Sequence, residues 1–296
     1  MKKFKGLAKI TGAVFIFVIV LGVLISVNSP DKYLAALNSN NVSTRYMELP
    51  SGKYAGDTIL GTISGKGSFY FDTGESYTGT WKTNEMSGNG TFAYTTGTYN
   101  GEFTSNKRNG SGTFTWTNGS KYTGSWSNDK LNGEGILKYD GITYTGTFKD
   151  NAFESGKIDF STETGIYKLT AENGKLSNKL DVTFTSGNTY SGEYSGNAIS
   201  GNGTMDFANV GKYVGGFSDG KRNGSGTFTW VDGSRYDGQW SNDAMNGQGT
   251  YNIDSSTYLK GTFVNGTLNG TFTYHNSEGN YNTVWENGKC TSITKE

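Results

Sequence analysis

Few residues of this chain have the types and spacing that catalysis needs. Two pairs of carboxylates, Asp237 with Asp243 and Glu102 with Glu134, could flank a glycosidic bond as acid and base if facing strands held them together. Acidic side chains on polar strand faces and loops also keep an aromatic-rich chain soluble, and this role accounts for all four without chemistry. The sequence therefore favours a protein that is not an enzyme.

Other reactive groups are scarce. The single histidine, His275, and the single cysteine, Cys290, make neither a Cys/His dyad nor a metal site, and Cys290 has no partner for an intramolecular disulfide. The segment Gly224-Ser225-Gly226 lacks the lysine and helix start of a phosphate loop. The formal net charge of zero gives no general basis for binding nucleic acid. We expect no catalytic residue, metal, cofactor or nucleic-acid partner.

The feature that dominates the sequence is a unit of 22 or 23 residues repeated eleven times. Its best copies read Tyr-x-Gly-x-Trp, then about six residues, then Gly-x-Gly-x-Phe. The opening position falls at Tyr54, Tyr77, Tyr99, Tyr122, Tyr144, Tyr167, Tyr190, Tyr213, Tyr236, Leu259 and Tyr281. A fixed period of this size predicts an array of small stacked units.

Each unit has the pattern of a β-hairpin. In residues 120–140, aromatic and glycine positions alternate with polar ones, which predicts a strand. Residues 127–132 are predicted to be a loop, and residues 135–139 a second strand. The pair Asp140-Gly141 then predicts a tight turn into the next copy.

Glycine weakens a strand unless something covers it, so its recurrence predicts that a ring from a neighbouring strand lies over bare backbone. A lone hairpin is unstable in water, but stacked hairpins join their aromatic faces. The sequence predicts an all-β fold: an elongated stack of about eleven hairpins over residues 54–296, forming a twisted antiparallel sheet.

These motifs resemble the MORN (membrane occupation and recognition nexus) repeat family. The segments 77–81, 122–126 and 236–240 match its opening Tyr-x-Gly-x-Trp, and each is followed by a Gly-x-Gly pair. The resemblance covers residues 54 to about 288 and implies a stack of antiparallel hairpins that binds proteins or lipids.

Two features describe how the array is organised. Residues 151–182 are degenerate, with Leu169 and Ala171 in place of the glycine and the second aromatic, and predict a bend, cap or break. Residues 107–129 and 221–243 match at 18 of 23 positions, which indicates that a block of repeats was duplicated. Such a duplication favours a long interaction surface over a unique active site.

The N-terminal residues differ from the repeats. A basic tail, residues 1–9, precedes an apolar segment, residues 10–28, that is long enough to span a bilayer as a helix. A polar stem, residues 29–53, follows. An uncleaved signal anchor fits this length better than a cleaved signal peptide, which remains the alternative. Four lysines before the segment predict a single-pass membrane protein with a cytoplasmic N-terminus and extracytoplasmic repeats.

The leading functional prediction is a membrane-anchored, non-enzymatic scaffold that presents an extended β surface to a protein partner. The aromatics expected to be most open on the sheet, and thus to contact a partner unless they only pack, are Trp81, Tyr122, Trp126, Tyr236 and Trp240. One alternative is binding of cell-wall carbohydrate by the aromatic stripe.

Another alternative is phospholipid binding. Without the four N-terminal lysines the chain has 22 basic and 26 acidic residues, so only a local basic patch, such as Lys107-Arg108 with Lys221-Arg222, would attract acidic lipid. Exposed strand edges at the ends of such a stack are also compatible with a homodimer.

Overall fold

The computed structural model describes residues 42–296. The predicted basic tail (1–9), the membrane helix (10–28) and the first part of the predicted stem therefore lie outside the described residues. Within residues 42–296, no helix is long and apolar enough to cross a membrane.

The described chain consists of short strands joined by tight turns. The first ten strands are β1 (Val42–Leu49), β2 (Gly52–Ile59), β3 (Thr62–Phe71), β4 (Ser76–Lys82), β5 (Glu85–Tyr94), β6 (Gly97–Thr104), β7 (Lys107–Trp116), β8 (Lys121–Ser127), β9 (Lys130–Tyr139) and β10 (Ile142–Lys149). They are followed by β11 (Ala152–Thr162), β12 (Gly165–Glu172), β13 (Lys175–Phe184), β14 (Thr189–Ser195), β15 (Ala198–Phe207), β16 (Gly211–Ser218), β17 (Lys221–Trp230), β18 (Arg235–Ser241), β19 (Ala244–Asn252), β20 (Tyr258–Val264), β21 (Thr267–Asn276), β22 (Gly279–Glu286) and β23 (Lys289–Lys295).

Each of the eleven copies contributes two consecutive strands, from β2 and β3 to β22 and β23. Strands that follow one another in sequence pair antiparallel from β1 to β10, and again from β13 to β23. The predicted all-β stack of antiparallel hairpins is confirmed.

The residues group into two compact units, which we describe separately. The N-terminal unit contains the described residues up to 158 together with 171–175, and the C-terminal unit contains residues 159–170 and 176–296. The boundary falls inside the degenerate segment 151–182. That segment still forms strands, and Leu169 and Ala171 are buried where most other copies have a glycine and an aromatic ring.

Two boundaries differ from the sequence prediction. The sheet begins at β1, whose residues pair with β2 from Val42↔Ile59 to Leu49↔Gly52, so the last part of the predicted stem is a strand. The predicted loop at residues 127–132 is only the turn Asn128-Asp129, because both residues adopt positive φ angles (48° and 68°). Two such residues make the type I′ turn that matches the twist of a hairpin, so the next strand starts at once.

A row of glycines crosses each unit at the middle of its strands. In the N-terminal unit each glycine pairs with the next across the sheet, at Gly56, Gly67, Gly79, Gly90, Gly101, Gly112, Gly124, Gly135 and Gly146. In the C-terminal unit the row contains Gly192, Gly203, Gly215, Gly226, Gly238, Gly249 and Gly261. This bare strip of backbone is where the aromatic core lies.

Candidate functional site

The tyrosine that opens a repeat covers two glycines of the row. The ring of Tyr99 lies against Gly101 on its own strand and Gly112 on the next strand, so closely that a Cβ atom on either glycine would overlap it. Its hydroxyl donates a hydrogen bond to the carbonyl of Glu102 (3.0 Å). The pairing of β6 with β7 shifts register between Gly101 and Phe103, so this carbonyl belongs to a β-bulge. The predicted covering of glycine by rings is confirmed.

The tryptophan of the opening motif packs between two repeats. The ring centroid of Trp126 lies 5.3 Å from that of Tyr122 in its own copy and 5.2 Å from that of Tyr99 in the preceding copy, both edge to face. Its indole nitrogen donates to the carbonyl of Gly112 (3.2 Å). Trp126 therefore joins adjacent repeats through packing and a hydrogen bond.

An arginine closes the core above this tryptophan. The guanidinium carbon of Arg108 lies 4.4 Å from the centroid of the Trp126 ring. Its Nε donates to Oδ1 of Asp129 (3.1 Å) and its Nη2 to the Asp129 carbonyl (2.9 Å). Because the guanidinium is buried and paired, its charge is not offered to a ligand. The predicted basic patch for acidic lipid is therefore wrong in including Arg108.

The five aromatics expected to be most open are buried. Trp81, Tyr122, Trp126, Tyr236 and Trp240 have relative exposures of 0 to 4%. The expectation was wrong in this respect because rings from both neighbouring repeats cover the same sheet face, and in two copies an arginine covers the tryptophan as well. These residues form the core, and a partner could reach them only if the core opened.

The opening tyrosines also respond to pH. Burial is the main cause that raises the pKa of Tyr54, Tyr122, Tyr190, Tyr213 and Tyr236 to about 12. In the unfolded chain a tyrosine has a pKa of about 10. Since the folded protein holds these protons more tightly, their contribution to stability is complete below pH 10 and is lost as the pH rises toward 12.

We therefore expect the protein to unfold between about pH 10 and pH 12, together with ionisation of its tyrosines. The measurement is an alkaline titration that follows tyrosinate absorbance and far-ultraviolet circular dichroism in parallel, with a sample in denaturant as the reference. The explanation fails if all the tyrosines ionise near the reference pKa while the circular dichroism stays native.

The turns also fasten each repeat to the preceding one. The side-chain Oδ1 of Asn84 accepts a hydrogen bond from the backbone amide of Ile63 (2.9 Å). The backbone amide of Asn84 donates to the Ile63 carbonyl (2.9 Å). The equivalent contact recurs where an Asn or Asp occupies the second turn position, at Asn106, Asp129, Asn151 and Asp243. In the sequence this role is marked by the spacing of Asn and Asp at 22 or 23 residues, a signal that was not among the predictions above.

A second series of large side chains is accessible to a partner. It lies at or just after the end of the second strand in eight of the repeats, two residues after a buried or half-buried aromatic or aliphatic position, and we call it the strand-end row. It contains Phe71, Tyr94, Trp116 and Tyr139 in the N-terminal unit, and Phe184, Phe207, Trp230 and Ile253 in the C-terminal unit. Tyr139 and Ile253 are exposed and the others are half-buried.

The strand-end row stays open because of its neighbours. Trp116 pairs with Gly97, and both Phe207 and Trp230 pair with Gly211, so no side chain opposite covers these rings. Each ring still contacts the core on one side, as Trp116 does with Phe114 at a centroid distance of 4.7 Å. The same period of 22 or 23 residues identifies this row in the sequence, but the sequence analysis did not single it out.

The two units differ beside this row. In the C-terminal unit Val210 and Val231 are exposed and their loops are joined by a hydrogen bond from the Val231 amide to the Val210 carbonyl (3.2 Å). In the N-terminal unit the equivalent bond joins Thr117 to Thr96 (3.0 Å). The row of the C-terminal unit therefore has the more apolar border.

The comparison with known families agrees with this geometry. The family model of the MORN repeat matches six segments, residues 77–98, 99–121, 122–141, 190–209, 213–235 and 236–255. The chain is a MORN repeat protein. A search of the curated proteins found no match to it. The matched MORN segments contain most of the glycine row, most of the covering tyrosines and six of the eight members of the strand-end row.

Three of the four carboxylates considered for catalysis, all but Glu134, have structural partners in this MORN repeat protein. Glu102 Oε1 accepts a hydrogen bond from the Ser111 amide (2.8 Å), Asp237 pairs with Arg235 (2.6 Å), and Asp243 pairs with Arg222 (3.1 Å). Within residues 42–296, no group of three or more His, Cys, Asp or Glu side chains could hold a metal ion.

The two isolated reactive residues have ordinary surroundings. His275 Nδ1 lies 2.7 Å from Asn280 Oδ1, and its ring stacks on Tyr258 at a centroid distance of 4.9 Å. Cys290 is exposed on β23. These contacts supply no catalytic arrangement around either residue.

Proposed function

We propose that this MORN repeat protein is a non-enzymatic, membrane-anchored scaffold that binds a protein partner through the strand-end row. The observation that carries the proposal is the row itself, since aromatic side chains with one exposed face and one packed face are enriched in protein interfaces. The row recurs at the repeat period, so several copies can contact one partner and add their contributions.

The location of the repeats is part of the proposal. The lysines before residues 10–28 support a cytoplasmic N-terminus, which leaves the repeats outside the cytoplasm. The partner is then an envelope or extracellular protein.

Two exposed valines of the C-terminal unit provide a matched test. Val231, 73% exposed, borders the strand-end row, whereas Val214, 49% exposed, follows the buried Tyr213 and so lies on the opposite sheet face. A single cysteine replaces either valine in a Cys290→Ser background and is labelled in intact cells with a membrane-impermeant, photoactivatable thiol reagent.

We expect both cysteines to be labelled in intact cells, and Val231→Cys alone to cross-link to one discrete protein. Adding Trp230→Ala should weaken that cross-link, because it removes the neighbouring ring. Labelling only after lysis would contradict the proposed topology. Equal cross-linking from both positions would contradict the assignment of the strand-end row as the partner surface.

A further inference from the structure

The C-terminal unit has a cleft at one point of the strand-end row. It has a volume of about 470 Å³, and its walls include Phe207, Trp230, Arg222 and Asp243. Arg222 closes the core as Arg108 does, with its guanidinium carbon 4.4 Å from the centroid of the Trp240 ring and its Nε 3.1 Å from Asp243 Oδ1. The cleft thus combines a paired charge with aromatic walls.

The duplicated site in the N-terminal unit is more closed. The side chains of Arg108 and Asp129 are 6% and 13% exposed, whereas those of Arg222 and Asp243 are 19% and 48% exposed. Such a difference between two segments of nearly identical sequence must come from the residues around them.

Two differences in the residues that follow the duplicated segment explain the opening. At the turn that follows, Asn151 places its Oδ1 2.8 Å from the Leu131 amide, but the equivalent residue in the C-terminal unit is Gly266, which has no side chain and lines the cleft. Ala244, another wall residue, replaces Lys130, whose Nζ reaches Asp150 at 2.9 Å. The cleft exists because these two side chains are absent.

The polar atoms of the cleft that have no hydrogen-bond partner among the described residues indicate which class of ligand can bind there. Asp243 Oδ1 accepts from the amide and the Nε of Arg222, while Asp243 Oδ2 accepts no hydrogen bond from the described residues. Arg222 uses Nε and Nη2, while Nη1 donates to none of the described residues. The pair thus has a net charge of zero and keeps one acceptor and one donor that no described residue uses.

Hydroxyl groups match these two atoms, since a hydroxyl can donate to Asp243 and can accept from Arg222, and a net charge of zero does not select a charged ligand. The aromatic walls match the apolar C–H face of a saturated ring, because the face of an aromatic ring is electron-rich. We propose that the Arg222–Asp243 cleft binds one pyranose ring of a glycan, with its hydroxyls on Asp243 and Arg222 and its C–H face on Trp230. This ligand is distinct from the protein partner proposed above, and the inference does not require that partner.

The probes for the test are methyl β-glucopyranoside, methyl α-mannopyranoside and N-acetylglucosamine, titrated into the full chain and followed by tryptophan fluorescence and calorimetry. We expect saturable binding of at least one probe with a Kd on the order of 1 mM, typical of a single small ring in an open cleft. Asp243→Asn should weaken it about 10-fold, because one charged acceptor contributes roughly 1.4 kcal/mol.

Gly266→Asn is the variant that closes the cleft without threatening the fold. Gly266 has a φ of +81°, close to the +70° of Asn151, and a Cβ there meets no atom within 4 Å. We expect this substitution to abolish sugar binding while thermal stability is kept or increased. Asp129→Asn, at the closed site, should leave sugar binding unchanged.

Three outcomes would overturn the inference: no saturable binding of any probe, binding that survives Gly266→Asn, or tighter binding of acetate or phosphate than of the neutral sugars. None of these would affect the cross-link from Val231→Cys. Failure of the sugar site and failure of the protein scaffold are therefore distinguishable.

Discussion

Gly112→Ala should destabilise the N-terminal unit by about 3 kcal/mol or more, although it adds a single methyl group to a strand. That methyl group would overlap the Oη, Cζ and Cε2 atoms of Tyr99. The ring cannot withdraw without losing its hydrogen bond to the Glu102 carbonyl and its packing against Trp126. The loss of stability comes from steric overlap and not from backbone strain, since Gly112 does not adopt a positive φ.

A second glycine of the same repeat provides the control. Gly119 lies in the loop between β7 and β8, where a Cβ meets no atom within 4 Å, and its φ is +84°. Gly119→Ala should therefore cost only the strain of a left-handed conformation, about 1 kcal/mol. Urea unfolding followed by tryptophan fluorescence compares the two variants. Equal costs would mean that the tyrosine does not pack on the glycine row as described.

The repeat period was enough to predict the hairpins and the covered glycines. Each depends on local features, namely strand alternation, turn residues such as Asp140-Gly141, and a recurring glycine between two aromatics. The family resemblance based on these motifs agrees with the six matched segments. Because the same motif recurs in most copies, a single sequence contains many independent examples of it. The hairpins and the covered glycines can therefore be predicted from one sequence.

The exposure of individual rings could not be predicted in the same way. Alternation places Trp126 and Trp116 on the same kind of face, but it does not show that Arg108 and Tyr99 enclose the first while Gly97 leaves the second uncovered. Those contacts depend on the register between repeats. The sequence therefore identified the aromatic face correctly and assigned its accessible members wrongly.

The Arg222–Asp243 cleft was harder still to foresee. It arises from two small residues, Ala244 and Gly266, that stand where the N-terminal unit has Lys130 and Asn151. Nothing in a single repeat marks these residues as significant. Only a comparison of the contacts made at equivalent positions in the two units shows that the C-terminal unit lacks two side chains that are present beside the closed site.

Trp126→Ala should destabilise the N-terminal unit by about 3 to 5 kcal/mol, the usual range for removing a large buried ring. The substitution leaves a cavity beside Tyr99 and Tyr122, and it removes the surface beneath the guanidinium of Arg108. Arg108 stays buried and charged but loses the ring that packs against it, which further lowers the free energy of unfolding. Because Trp126 joins two copies, the loss should reach both neighbouring repeats.

The opening-motif tryptophans form the core, whereas the strand-end tryptophans are only half-buried and keep one face open to solvent. Thermal unfolding of Trp126→Ala and Trp116→Ala, with Arg108 and Asp129 retained in both variants, is the measurement that separates these two roles. We expect a large loss of melting temperature for Trp126→Ala and a small one for Trp116→Ala, which reflects about 1 kcal/mol of stability. A near-native melting temperature for Trp126→Ala, or equal losses for the two variants, would contradict this assignment.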